Sequence, residues 1–223
     1  MSLHLLFDLD GTLTDPAQGI LGCIRHALTS LQIDIDADTP LEPYIGPPLR
    51  DTFRTLLDEA GADLELVETA VEIYRERFTT LGLYENRVYD GIPQSLERLR
   101  AGAESIHLAT SKPRVYAERI LEHFGLAQYF DGIYGSELDG RLGDKTELIA
   151  HLLECEGLDA ADSVMIGDRS YDVVGASNNR VEVIGVLWGY GSAAELEQAG
   201  AKRLCRHPGE LADHLPHPAG RGA

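Results

Sequence analysis

The chain is poor in cysteine, in aromatic side chains, in basic residues and in long apolar runs, and each shortage closes a class of function. Its three cysteines, Cys23, Cys155 and Cys205, are odd in number, widely spaced and free of any C-x-x-C pair. That pattern argues against a disulfide framework and a zinc knuckle, and fits a reducing, cytoplasmic compartment. The apolar run that opens the chain is broken almost at once by Asp8 and Asp10, so neither a secretory signal nor a membrane span is expected. Lysine and arginine number 19 against 37 aspartates and glutamates, a formal charge of −18. A surface that acidic repels nucleic-acid backbones and anionic lipid, which excludes nucleic acid polymers and membranes as partners. A small phosphate ester is not excluded, because a few amides, one lysine or a bound cation outweigh a distant field at short range. The eight histidines show no ligand spacing. His4, His107 and His151 read as packing or surface residues, His207, His214 and His217 lie in or near an irregular tail, and no metal site is expected on any of them. Trp188 and the scattered tyrosines read as packing residues.

What remains is the composition of a folded chain. Of 223 residues, 43% are hydrophobic and 25% charged, enough for one large domain or for a core with an insertion. Leu3 to Phe7 reads as a buried strand that empties into a turn at Asp8-Leu9-Asp10-Gly11-Thr12. The spacing then turns helical, with one stripe at Ile20, Ile24, Ala27, Leu28 and Leu31 and another at Val67, Val71, Tyr74, Phe78 and Leu81. Between them Gly46-Pro47-Pro48 predicts a turn and a helix with proline in its first turn. Beyond Asp90-Gly91, candidate strands at 105–110, 132–135, 163–166, 183–187 and 203–205 alternate with helical stretches around 92–101, 114–124, 145–155 and 170–178. This is the βαβ rhythm of an α/β fold, a doubly wound parallel sheet with helices on both faces. A frayed tail is expected over 214–223, where Pro216, Pro218, Gly220 and Gly222 cluster.

Ligands of such a sheet gather beyond the carboxyl ends of its strands, and three predicted strands end in residues of catalytic type: Asp8 and Asp10, Thr110 and Ser111, and Asp168. Asp8, Asp10, Asp168 and Asp172 converging on one place repel one another unless a cation or a shared proton offsets them. A divalent metal is the simplest resolution, and an all-oxygen set suits Mg²⁺. Any one of these aspartates alone reads as a helix cap or turn residue.

Asp8-Leu9-Asp10-Gly11-Thr12-Leu13-Thr14-Asp15 resembles the first motif, DxDGTLxD, of the haloacid dehalogenase (HAD) superfamily. Leu108-Ala109-Thr110-Ser111-Lys112-Pro113 resembles the second motif, Lys145 stands in the place of the third, and Gly167-Asp168-Arg169-Ser170-Tyr171-Asp172 resembles the fourth, GDxxxD. The resemblance covers nearly the whole chain. It implies a HAD-like, Rossmannoid core over 1–15 and 90–213 and an inserted helical (C1-type) cap domain over 16–89. It further implies that Asp8 is the nucleophile, forming an aspartyl-phosphate, and Asp10 the general acid and then base. Mg²⁺ would be held by the carboxylates of Asp8 and Asp168 and the backbone carbonyl of Asp10, with Asp172 orienting that shell. Thr110 and Lys145 would bind phosphate, and Gly11 and Ser111 are further substrate-binding candidates. Taken without the motifs, Lys145 reads first as a solvated lysine in a first helical turn, and Ser111 and Lys112, weaker candidates for phosphate contact, read also as caps of the helix near Pro113. Asp10 argues against dehalogenation, since dehalogenases lack an acid at that place.

Tyr44-Ile45-Gly46-Pro47-Pro48-Leu49-Arg50 and Leu187-Trp188-Gly189-Tyr190-Gly191-Ser192 resemble segments of the phosphoglycolate phosphatase and 5′-nucleotidase-like branch. That resemblance implies small phosphorylated metabolites as substrates, nucleoside 5′-monophosphates and 2-phosphoglycolate first. Arg50 is either a contact to the leaving group or a salt-bridged surface arginine. A hexose phosphomutase of the same fold and a non-catalytic binding relative are the alternatives, and a monomer and a homodimer are both compatible with the sequence. After the fourth motif, Arg180 stands where relatives generally have glycine, so Asn179 is expected to supply the left-handed turn.

Overall fold

The run behind Asp8 carries no polar side chain at Leu5, Leu6 and Phe7, and all three are fully buried. In the computed structural model, which describes residues 2–36 and 39–215, this run is β1 (His4–Phe7), in the interior of a sheet. The chain continues through β2 (Thr14–Asp15), α1 (Ala17–Ser30), α2 (Leu49–Glu59), α3 (Val67–Arg77) and β3 (Arg87–Val88). Strand and helix then alternate: α4 (Ile92–Arg100), β4 (Ser105–Pro113), α5 (Arg114–His123), β5 (Gly132–Ser136), α6 (Lys145–Glu156), β6 (Ser163–Gly167), α7 (Ser170–Asn178), β7 (Glu182–Val186), α8 (Ala193–Ala199), β8 (Arg203–Cys205) and α9 (Leu211–His214).

Six strands form one sheet in the order β5-β4-β1-β6-β7-β8, and every neighbouring pair is parallel. Parallel strands need crossovers, and helices on both faces bury them, which is why β1 and β6 are continuous apolar runs. One face closes with Leu6, Ala109 and Met165 against Leu148, Ile149 and Leu152 of α6 and Val173 and Ala176 of α7. Cutting a leucine to alanine in such a layer costs about 2–5 kcal/mol. The strand order reverses beside β1, which pairs with β4 on one side and β6 on the other. A parallel sheet opens a crevice at such a reversal.

The chain divides into two compact units, one made of the segments before Asp15 and after Arg87, the other of Asp15–Arg87. The second is helical. Phe53 meets Tyr74 edge-on at 6.1 Å and Tyr74 stacks on Phe78 at 5.3 Å, joining α2 to α3. The Arg77 guanidinium forks onto Glu85 at 2.7 and 2.9 Å.

Several expectations need correction. Pro48 stands at the N-cap of α2 and not in its first turn. The stripe along α3 ends early, because a π-helical turn over Phe78–Gly82 shifts the register and leaves Leu81 55% exposed. Arg180 itself takes the left-handed conformation, at φ +60°, while Asn179 stays at φ −95°. The Asn179 amide is otherwise occupied, donating to the carbonyls of Gly175 and Thr146 at 2.8 and 2.9 Å. His214 closes α9 and so belongs to an ordered element. The rest of the expected tail, 216–223, lies outside the described residues.

Candidate active site

Asp8 follows β1 directly, and its N–H donates to the Ile166 carbonyl of β6 at 2.9 Å. The chain then turns tightly: the N–H groups of Leu13 and Thr14 both donate to the Leu9 carbonyl, and that of Gly11 to Thr14 at 2.7 Å. Gly11 sits at φ +85°, and a Cβ there would stand 2.1 Å from Asp168 Oδ2. Glycine is required because the Asp168 carboxylate passes this close. The N–H of Gly11, a substrate-binding candidate, is spent inside the turn.

Lys145 is set by its helix start. The Asp144 carboxylate accepts from the N–H groups of Thr146 and Glu147 at 2.8 and 3.1 Å, so α6 begins at Lys145. The lysine stem runs over Gly175 of α7, where any Cβ would meet it at 2.7 Å. Its ammonium is buried 2.8 Å from Asp8 Oδ1, 2.8 Å from Asp172 Oδ1 and 2.9 Å from the Ala109 carbonyl. Burial disfavours this charge, but Asp172 and Asp8 more than offset it and raise the lysine pKa. Lys145 is therefore a buried ion-paired cation and not a solvated surface residue.

Oxygens of Asp8, Asp168 and Asp172 lie within 4.8 Å of one another. Asp168, fully buried, accepts from the Tyr190 N–H at 2.7 Å and from the Thr12 hydroxyl at 3.5 Å. Burial, then the charges of Asp172 and Asp8, push its pKa well above the ordinary value. Asp172 reaches back to the Arg169 N–H at 3.1 Å, and burial raises its pKa against the pull of Lys145. Three buried carboxylates facing one lysine leave negative charge uncompensated, and the donor set is all oxygen. Both features fit a hard divalent cation.

Asp10 stands apart from this cluster. Its Oδ2 lies 2.5 Å from the Lys112 ammonium, and its Oδ1 is buried without a hydrogen-bond partner among the described residues. Its pKa is raised first by burial, against the opposing charge of Lys112, with the Asp8 charge adding to the rise. Thr110 is buried, and its hydroxyl oxygen accepts from the Lys112 N–H at 3.2 Å, which leaves its own proton to be donated. Ser111 is half-buried, and its carbonyl takes a hydrogen bond from the Ser136 hydroxyl at 2.8 Å. Arg50 belongs to the helical unit, where it grips Glu68 bidentately at 2.7 and 3.1 Å, the surface salt bridge that was one of its two readings.

Sequence reasoning passed over two contributors. Lys112 was read as a weaker phosphate candidate or a cap and not as the partner of Asp10, and the 187–192 loop as a family resemblance alone. That loop gives the Tyr190 N–H to Asp168 and ties Trp188 Nε1 to the Thr12 carbonyl at 2.9 Å. The G-Y-G spacing of the loop was the available signal, since a Cβ at Gly189 would meet the Gly11 carbonyl at 2.3 Å.

The haloacid dehalogenase-like hydrolase profile matches residues 5–186. A 5′-nucleotidase of Pseudomonas aeruginosa is 49% identical over 202 residues, 91% of this chain and 90% of that protein. Tyrosine-protein kinase PtkA of Mycobacterium tuberculosis is 38% identical over 85% of this chain and 63% of its own length. The crystal structure of a predicted phosphatase from Clostridium acetobutylicum superposes with a TM-score of 0.88 at 41% identity, covering 96% of this chain and 97% of that one. The chain belongs to the haloacid dehalogenase-like hydrolase family. Within that family it is a phosphatase.

Proposed function

We propose that this phosphatase is a Mg²⁺-dependent enzyme of the cytoplasm that hydrolyses small phosphomonoesters through an aspartyl-phosphate on Asp8. Nucleoside 5′-monophosphates come first among substrates and 2-phosphoglycolate second. The observation that carries the reading is the pair at the end of β1: Asp8 held by Lys145, and Asp10, two residues on, held by Lys112 with one carboxyl oxygen unpartnered.

An Asp8 carboxylate oxygen attacks phosphorus, and the bond from phosphorus to the ester oxygen breaks. The departing oxygen takes its proton from Asp10, whose burial favours the protonated form. Water then adds to phosphorus as Asp10 takes a proton back, the acyl-phosphate bond breaks, and inorganic phosphate leaves with Asp8 restored. Lys145 keeps phosphate and the Asp8 carboxylate from repelling each other, and Thr110 donates its hydroxyl to an equatorial oxygen. Asp8, the Asp10 carbonyl and Asp168 would hold Mg²⁺, with Asp172 fixed behind them by Lys145. Bound there, the ion supplies positive charge to the transferring phosphoryl group. The helical unit of Asp15–Arg87 is the candidate for the cap that chooses the leaving group.

The test is phosphate release from a panel of phosphomonoesters that includes both named substrates, with Mg²⁺ or EDTA, for wild type and Asp8→Asn. Metal-dependent release that falls at least a thousandfold in the variant is expected. Isomerisation of a hexose phosphate without phosphate release would establish a phosphomutase instead. Substrate binding without turnover would establish a binding module.

A further inference from the structure

β8 ends at Cys205, and the chain turns back through Pro208–Glu210 into α9. Cys205 is fully buried, and Glu210 and His214 are half-buried. A sulfur, a carboxylate oxygen and an imidazole nitrogen of these three lie within 4.8 Å of one another. Glu210 and His214 stand four residues apart on one helical stretch, so they share a face, and the strand end brings the thiol to that face.

The segment that presents these groups is held in place. Ser95 of α4 donates to the Pro208 carbonyl at 2.5 Å, Arg98 to the Gly209 carbonyl at 3.3 Å, and Arg203 of β8 to the His214 carbonyl at 3.2 Å. The backbone of the turn is thus fixed from outside, and the Cys205 thiol, which donates to the His207 carbonyl at 3.2 Å, would give up that bond on binding a metal. The chemistry of the three donors also differs from the oxygen cluster at Asp8. A thiolate and an imidazole favour a borderline-soft ion over Mg²⁺. A thiolate and a carboxylate with neutral imidazole balance a divalent charge, which lowers the cost of burying it.

We propose that Cys205, Glu210 and His214 form a Zn²⁺ site that fastens the turn after β8 to the strand it follows. Three protein groups and one water complete a tetrahedral shell. On binding, the S–H bond breaks, its proton goes to solvent, and the Zn–S bond takes its place without change of oxidation state.

Protein stripped with EDTA and resupplied with excess Mg²⁺ is titrated with Co²⁺. The expected result is an intense near-ultraviolet thiolate-to-cobalt absorption that saturates at one ion per chain and is displaced by Zn²⁺. Oxygen ligands alone give no such band, so the Asp8 cluster stays silent. Cys205→Ser abolishes the band and His214→Ala weakens Co²⁺ binding at least tenfold. Cys155→Ser leaves it intact, although Cys155 sits 3.6 Å from His151 Nε2 and is the competing thiol-imidazole pair. Zn²⁺ at a hundredfold excess over its wild-type Kd raises the wild-type Tm by roughly 5–10 °C and that of His214→Ala by about half as much or less. Absence of the band in wild type, its survival in Cys205→Ser, or Co²⁺ binding undiminished in His214→Ala overturns the proposal. Should Cys205→Ser fail to fold, His214→Ala alone decides.

Discussion

Lys112 and Lys145 divide the two motif carboxylates between them, each ammonium within 2.8 Å of one aspartate. Lys112→Met removes the cation that fixes Asp10 and leaves the rest of the site in place. Its kcat is expected to fall about tenfold to a hundredfold with an unchanged far-ultraviolet spectrum, and an unaltered kcat would return Lys112 to the role of a cap. The carboxylates were legible as motif residues, whereas the pairing of this lysine with Asp10 was not. Its aim depends on a register shift of β4 against β5 between Thr110 and Pro113, and no local pattern of residue types reveals a bulge before strands are paired. His107 shows a second effect of burial. It is buried, with Nε2 2.8 Å from the Ser105 hydroxyl and Nδ1 without a hydrogen bond among the described residues. Burial holds its pKa below the ordinary value despite the pull of Glu156. Below about pH 6.5 the unfolded chain takes up a proton that the folded one refuses, so stability falls as pH drops through that window. In His107→Phe, thermal melts between about pH 5 and 6.5 should show a flatter dependence of Tm on pH.

Among the elements, the turn from α7 to β7 carries a strain that one substitution relieves. Arg180 holds φ +60°, where an L side chain crowds its own backbone. Arg180→Gly is expected to raise stability by about 1 kcal/mol, seen as a higher urea midpoint at constant m-value. A lower midpoint would mean that the arginine side chain contributes more than its backbone costs. Most of the alternating strands and helices after Asp90 were readable because β4, β6 and β7 carry apolar runs and α4 to α7 each show a buried stripe, and β8 matches its expected span of 203–205. Elements without such contrast were missed. The strands β2 and β3 have two residues each and no periodicity to detect. The helix α8 buries Leu196 as its one core residue, although Ser192 accepting from the Glu195 N–H at 3.1 Å is a helix start its S-x-x-E spacing announces. The π-helical turn at Phe78–Gly82 was invisible because its residues continue the i, i+3, i+4 pattern while the backbone leaves it.

For the molecule as a whole, a charge of −18 sets a repulsive background against which phosphate esters and their cation must be drawn in by local groups. The same composition makes lysine scarce: Lys112, Lys145 and Lys202 are all there are. The first two have side chains no more than 6% exposed and are locked to aspartates, while Lys202 is exposed. An amine must be reachable to be acylated, and burial denies that to both. Brief treatment of the native protein with an acylating ester, followed by peptide mass spectrometry, should therefore mark Lys202 and spare the other two, which become reactive in urea. Equal labelling of all three in the native state would contradict their burial. The consequence is practical: a support or fluorophore coupled through lysine would attach at one place on the β8 side, with a uniform orientation and without touching the chemistry at the far end of β1.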